Sequence, residues 1–267
     1  MRFFRLLAPR HPTDMLYARH NPIGSYGSDY SIPTLICPVC QRWSSSDVVR
    51  KELTSDKEVL KRLDARPLHL AEWKDEVIEL SRLLGIDKEL LRPGTELGPP
   101  RGTITRTSFD DFLDVGCSRF WVKPAVRAAI VQAGLIGIDF VQVEAQWDSR
   151  ITHPPISEPD RWFRHIDRDA AGKVVKDLPP SAPALWELVV HGKAWRVGMN
   201  SERITLCNVC GRTGFPDPRW LEVDIARWDG SDFFHLDMNP NVTLVTEKAK
   251  DLIEAHSFSN IICEPVQ

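Results

Sequence analysis

Two short cysteine pairs, Cys37-Pro38-Val39-Cys40-Gln41 and Cys207-Asn208-Val209-Cys210-Gly211, restrict what this chain can fold into more than any other feature. A Cys-x-x-Cys turn aims two thiolates at one point, and two such turns supply the four sulfurs of a closed tetrahedral zinc site. Pairs this far apart share one ion only if the polypeptide folds back on itself, so the metal would clasp the first fifth of the chain to its last quarter. A four-sulfur site leaves no coordination position for water or substrate, which makes the expected role structural. Two other readings stay open here: disulfides or free thiols without metal, and redox catalysis. Redox work calls for a Cys-x-x-Cys turn at a helix N-terminus, where the thiol pKa falls, and Trp43-Ser44-Ser45-Ser46 opens no helical pattern. In a knuckle of this type the residue after the second cysteine takes a left-handed backbone so that N–H groups point at sulfur. Gly211 suits that conformation, whereas Gln41 carries a cost of about 1 kcal/mol there.

Six cysteines in 267 residues are too few for a disulfide scaffold, and Cys117 and Cys263 read as small core residues. A hydrophobic content of 42% and a charged content of 27% are ordinary for a globular protein. No apolar run approaches the length of a membrane span, and Arg2-Phe3-Phe4-Arg5-Leu6-Leu7 is broken at once by Pro9, Arg10 and His11, unlike a signal peptide. The expectation is a cytoplasmic protein without membrane contact. A formal net charge of -3 argues against a general nucleic-acid binder, and the charge is uneven. From Asp217 onward there are ten acids against four bases, a local balance of -6 that leaves +3 on the rest. Such an asymmetry either steers a basic partner to the C-terminal region or reflects a solvated surface.

The patterning predicts an α+β protein, antiparallel strands with flanking helices stapled by the four-cysteine site, in one domain over 1–267. Phe3–Leu7 reads as a strand, and the Gly-, Pro- and Ser-rich stretch from His11 to Pro33 as irregular loop. A helical insertion is expected at about 47–92. Within it, Ser55 and Glu58 form a capping box ahead of Val59, Leu60 and Leu63, and Leu70, Trp73, Val77, Leu80 and Leu84 make an apolar helix face ended by Gly85. From Phe120 the pattern becomes strand, helix, strand, with Pro124 at the first helical position. The C-terminus does the same from Val242, with Thr246 as N-cap. Each unit follows an aromatic-acidic stretch, Phe109-Asp110-Asp111-Phe112 and Asp232-Phe233-Phe234, which is either an internal repeat of about 120 residues or two unrelated units of one pattern. Leu185–Val190 and Ala194–Val197 flank Gly192-Lys193, the signature of a two-residue hairpin, while His153 to Pro183 reads as a surface excursion.

No Gly-x-Ser-x-Gly, phosphate-cradling glycine loop or His-Glu-x-x-His stands in the chain, and its eight histidines are scattered. His235, beside Phe234 and Asp237, is the histidine with most neighbours of interest. Several motifs together resemble the double-CxxCG paralogous family first noticed in myxobacteria: Arg2-Phe3-Phe4-Arg5-Leu6, Cys37-Pro38-Val39-Cys40, Pro93-Gly94-Thr95-Glu96-Leu97-Gly98-Pro99, Cys207-Asn208-Val209-Cys210-Gly211-Arg212-Thr213-Gly214-Phe215 and Val245-Thr246-Glu247-Lys248. The resemblance spans nearly the whole chain, with Gln41 replacing the glycine of the first motif. Some members are regarded as immunity proteins against contact-delivered polymorphic toxins. It therefore implies a non-enzymatic protein that binds a cognate protein toxin of nuclease type, with structural zinc on Cys37, Cys40, Cys207 and Cys210. Trp220, Asp224, Trp228, Asp229 and Asp232 are the candidate partner-binding residues, since an acidic region matches the phosphate-binding surface of a basic nuclease. A zinc-stabilised nucleic-acid-binding or regulatory protein is the alternative from another class, and a thiol oxidoreductase a third.

Overall fold

The computed structural model describes residues 1–9, 23–28, 30–43, 48–50, 53, 56–63, 67–104, 109–116, 119–147, 151–152, 165–166, 176–177, 182–197, 204–205, 207–210, 213–214, 222–236 and 239–266. In chain order, the elements that matter for the site are β1 (Phe3–Leu7), β2 (Leu35–Cys37), β3 (Gln41–Trp43), α1 (Lys57–Leu63), α2 (Leu70–Leu84), β4 (Phe112–Gly116), β5 (Arg119–Val122), α3 (Pro124–Gln132), β6 (Ile138–Gln142), β7 (Trp186–Val190), β8 (Gly192–Arg196), β9 (Val223–Asp224), β10 (Phe233–Leu236), β11 (Asn239–Thr246), α4 (Glu247–Ala255) and β12 (Ile262–Pro265). The mixture of helices with several largely antiparallel sheets is the expected α+β class.

Two sheets form the centre. One runs β9-β8-β10-β11-β1-β12, the other β4-β5-β7-β6. Alternation along β1 explains how one strand serves two cores: Phe4 and Leu6 face a cluster containing Phe112, Phe120, Val126, Ile130, Phe233 and Ile253, while Phe3 faces Phe234, Val242 and Leu244 on the opposite side. Helices α3 and α4 lay their apolar stripes against the shared core, with Val126, Ala129 and Ile130 buried in α3 and Ala249 and Ile253 in α4. Thr246 caps α4 as expected, its hydroxyl accepting from the Ala249 N–H.

The helical stretch carries its own core of Ile32, Val59, Leu63, Val77, Leu80, Leu84, Leu91 and Leu97. Helix α2 ends at Gly85 with φ 59°, the left-handed cap read from the sequence. At α1 the Glu58 N–H is accepted by Asp56, while Ser55 lies outside the described residues. Buried charge pins this stretch and the chain just after it to the β4-β5-β7-β6 sheet. Arg50 reaches Glu187 on β7 at 2.8 Å, both side chains only 3% exposed, and Arg119 on β5 reaches Glu96 at 2.8 Å.

Two expectations are corrected. The stretch from His11 to Pro33 is not all loop, since Ile23–Gly27 and Tyr30–Ser31 are strands. Residues 185–197 do not form a hairpin either: β7 pairs with β5 and β6, whereas β8 pairs with β9 and β10. The glycine serves close approach instead of a turn, because a Cβ on Gly192 would stand 2.2 Å from the Phe233 carbonyl oxygen. No helix among the described residues is long and apolar enough to cross a membrane.

Candidate metal centre

Each cysteine pair sits on a small β-hairpin. β2 and β3 pair antiparallel with Leu35 opposite Trp43 and Cys37 opposite Gln41, and Ile204–Thr205 pairs with Thr213–Gly214 with Thr205 opposite Thr213. Counted from the first cysteine of each turn, Leu35 and Trp43 occupy the same places as Thr205 and Thr213. The turns come together as the spacing predicts: the four sulfurs of Cys37, Cys40, Cys207 and Cys210 all lie within 4.8 Å of one another. Cys37 Sγ is 3.8 Å from Cys207 Sγ, and Cys40 Sγ is 3.3 Å from Cys210 Sγ. Four thiolates about 2.3 Å from a tetrahedral ion stand roughly 3.8 Å apart, so this donor set fits a metal ion.

Electrostatics point the same way. The Cys40 and Val39 N–H groups aim at the Cys37 sulfur and draw its pKa down to about 6, and the Cys210 and Val209 N–H groups lower Cys207 in the same manner. The facing Cys210 sulfur pushes Cys40 up to about 12. The first sulfur of each turn is thus favoured in its charged form, while the facing Cys210 sulfur, through its hydrogen bond and like-charge repulsion, opposes ionisation of Cys40. A bound cation removes that repulsion and displaces the proton.

Gln41 has φ 59°, the left-handed conformation expected of it, and its side chain is exposed. Gly211 lies outside the described residues. Gln41→Gly is expected to raise the stability of the metal-loaded protein by about 1 kcal/mol, measured by urea unfolding. A loss of stability would show that the glutamine side chain supports the turn.

Four of the candidate partner residues also make contacts within the fold. Asp232 is 8% exposed, and its carboxylate accepts from the Ile136 N–H at 3.1 Å and the Thr246 hydroxyl at 2.8 Å. Trp228 packs edge-on against Phe3, with Nε1 donating to the Ser231 carbonyl. Asp229 accepts from the Lys193 and Ser231 N–H groups, and although burial opposes it, these donors hold its carboxyl below the usual range. Asp224 caps the short helical turn Ile225–Arg227. Trp220 lies outside the described residues. Burial pushes the His235 pKa down, and its Nδ1 lies 3.0 Å from the Val242 carbonyl, the arrangement of a satisfied core histidine. Arg50 and Glu187 escape a reading of the sequence, since no local pattern signals their contact. No protein-family model and no curated protein matches the chain.

Proposed function

We propose that the four-cysteine centre holds zinc as a structural clasp and that the protein acts by binding, as an immunity protein that neutralises a cognate polymorphic toxin of nuclease type. The observation that carries this reading is the convergence of both cysteine pairs on one point, which the resemblance implies and a closed site without substrate access explains. Zinc supplies no reaction here; it fixes two hairpins that the rest of the chain leaves far apart in sequence.

Of the C-terminal acids, Glu222 and Asp229 are exposed and Asp224 half-buried beside the exposed Ile225, so this edge presents negative charge next to an apolar side chain. It suits a basic protein surface. Asp232, being internal, is left out of that contact.

The test is co-expression with the product of an adjacent toxin gene, followed by affinity purification and a toxicity assay. A tight complex and rescue of growth are expected, with Glu222→Lys weakening the complex at unchanged metal content and thermal stability. Rescue without a complex, or DNA binding that falls steeply with salt, overturns the proposal.

A further inference from the structure

With β1, β7 and the two cysteine turns included, the chain divides into two halves that share one series of elements in the same order. Each half contains, in order, a strand, a cysteine hairpin, a two-stranded hairpin, a helix and a last strand: β1, β2-β3, β4-β5, α3 and β6 in the first, and β7, the paired Ile204–Thr205 and Thr213–Gly214, β10-β11, α4 and β12 in the second. The pairing is the same in both. β7 lies antiparallel between β5 and β6, and β1 lies antiparallel between β11 and β12, so each half places its first strand in the middle of the other half's sheet.

The match continues at single residues. Phe112 opposite Val122 repeats as Phe233 opposite Val245. Arg127 lies over the Trp186 ring, and Lys250, at the same place in its helix, over the Phe4 ring. After the helices, Gly134 and Gly137 have φ 61° and 86°, and their counterparts Ser257 and Asn260 have 52° and 60°. The latches between the halves are reciprocal too: the Asp111 carboxylate accepts from the Ser259 N–H at 3.0 Å, and the Asp232 carboxylate from the Ile136 N–H at 3.1 Å. Finally, Cys37 faces its counterpart Cys207, and Cys40 faces Cys210. Reciprocal contacts such as the two latches, i to j and j to i, are the mark of an isologous two-fold contact.

We infer that the chain is a tandem duplication folded as a strand-exchanged pair, and that the four-cysteine centre lies at the seam of that pair, where its metal joins one repeat to the other. The stretch at about 47–92 is an addition to the first repeat only. The seam rests on the centre holding a metal, and it is independent of toxin binding.

The test uses the full chain with a protease site placed between Ile166 and Lys176 and cut after folding. The two pieces are expected to stay together in a 1:1 complex, with chelation of the metal speeding their separation at least about tenfold. Asp111→Ala and Asp232→Ala, one latch from each repeat, are each expected to speed it about tenfold or more. Pieces that separate while metal-loaded, or whose separation is indifferent to chelation or to either latch, overturn the inference. Should the inserted site prevent folding, hydrogen exchange on the intact chain decides. Residues 112–142 and 233–265 are expected to open together, and opening in two independent steps overturns the exchange.

Discussion

Cys207→Ser is expected to abolish metal binding and cause the largest loss of stability of any single change outside the apolar cores. Structural zinc contributes on the order of 10 kcal/mol of apparent folding free energy in small modules. Here the central sheets have apolar cores of their own, so a loss of several kcal/mol is expected rather than complete unfolding. Elemental analysis and urea unfolding of the wild type, the variant and the chelated wild type provide the check. The variant and the chelated wild type should coincide, because both lose the same clasp. A metal-free protein as stable as the purified one would refute the structural role. Lowering the pH should release the metal as protons compete for the thiolates.

Arg50→Met is expected to cost about 3 kcal/mol at pH 8, the low end of the usual penalty for breaking a buried pair by removing one partner, because Arg119 stays near the Glu187 carboxylate. Burial already pushes the Glu187 carboxyl up, against the pull of Arg50 and Arg119. Without Arg50 the folded-state pKa rises further. A folded-state pKa above the unfolded one favours folding at low pH and loses that advantage as pH rises through the folded value. The deficit of Arg50→Met relative to wild type should therefore be small near pH 4, where Glu187 is largely protonated in both states, and grow with pH. Arg50→Met/Glu187→Leu should recover most of it. A deficit equal at both pH values would show that lost packing, not the stranded carboxylate, is the cause. Because this pair joins the helical stretch to the β4-β5-β7-β6 sheet, hydrogen exchange in the variant should rise first in α1 and α2.

The elements with strong local signals were legible in the sequence. The apolar stripe and Gly85 marked α2, Pro124 marked the start of α3, and Thr246 marked that of α4, because caps and periodicity act over a few neighbouring residues. Gly192-Lys193 misled for the same reason. A glycine between two strands has one local meaning, a turn, and a second that depends on a distant carbonyl pressing against it. The partner residues show the same limit: Asp232 reads as a surface acid, and only its neighbours in space, among them Ile136 from the other half, reveal a buried latch.

By itself the sequence determined the ligand set of the candidate centre, the strain at Gln41 and the strand-helix-strand units, all of which follow from chemistry and spacing within short stretches. Tertiary structure alone decided that β1 and β7 change places, that Arg50 meets Glu187, and that like cysteines face each other. Those outcomes depend on which backbone edges and charges lie close once the chain has returned on itself, and contacts of that range leave no periodic trace in the order of residues.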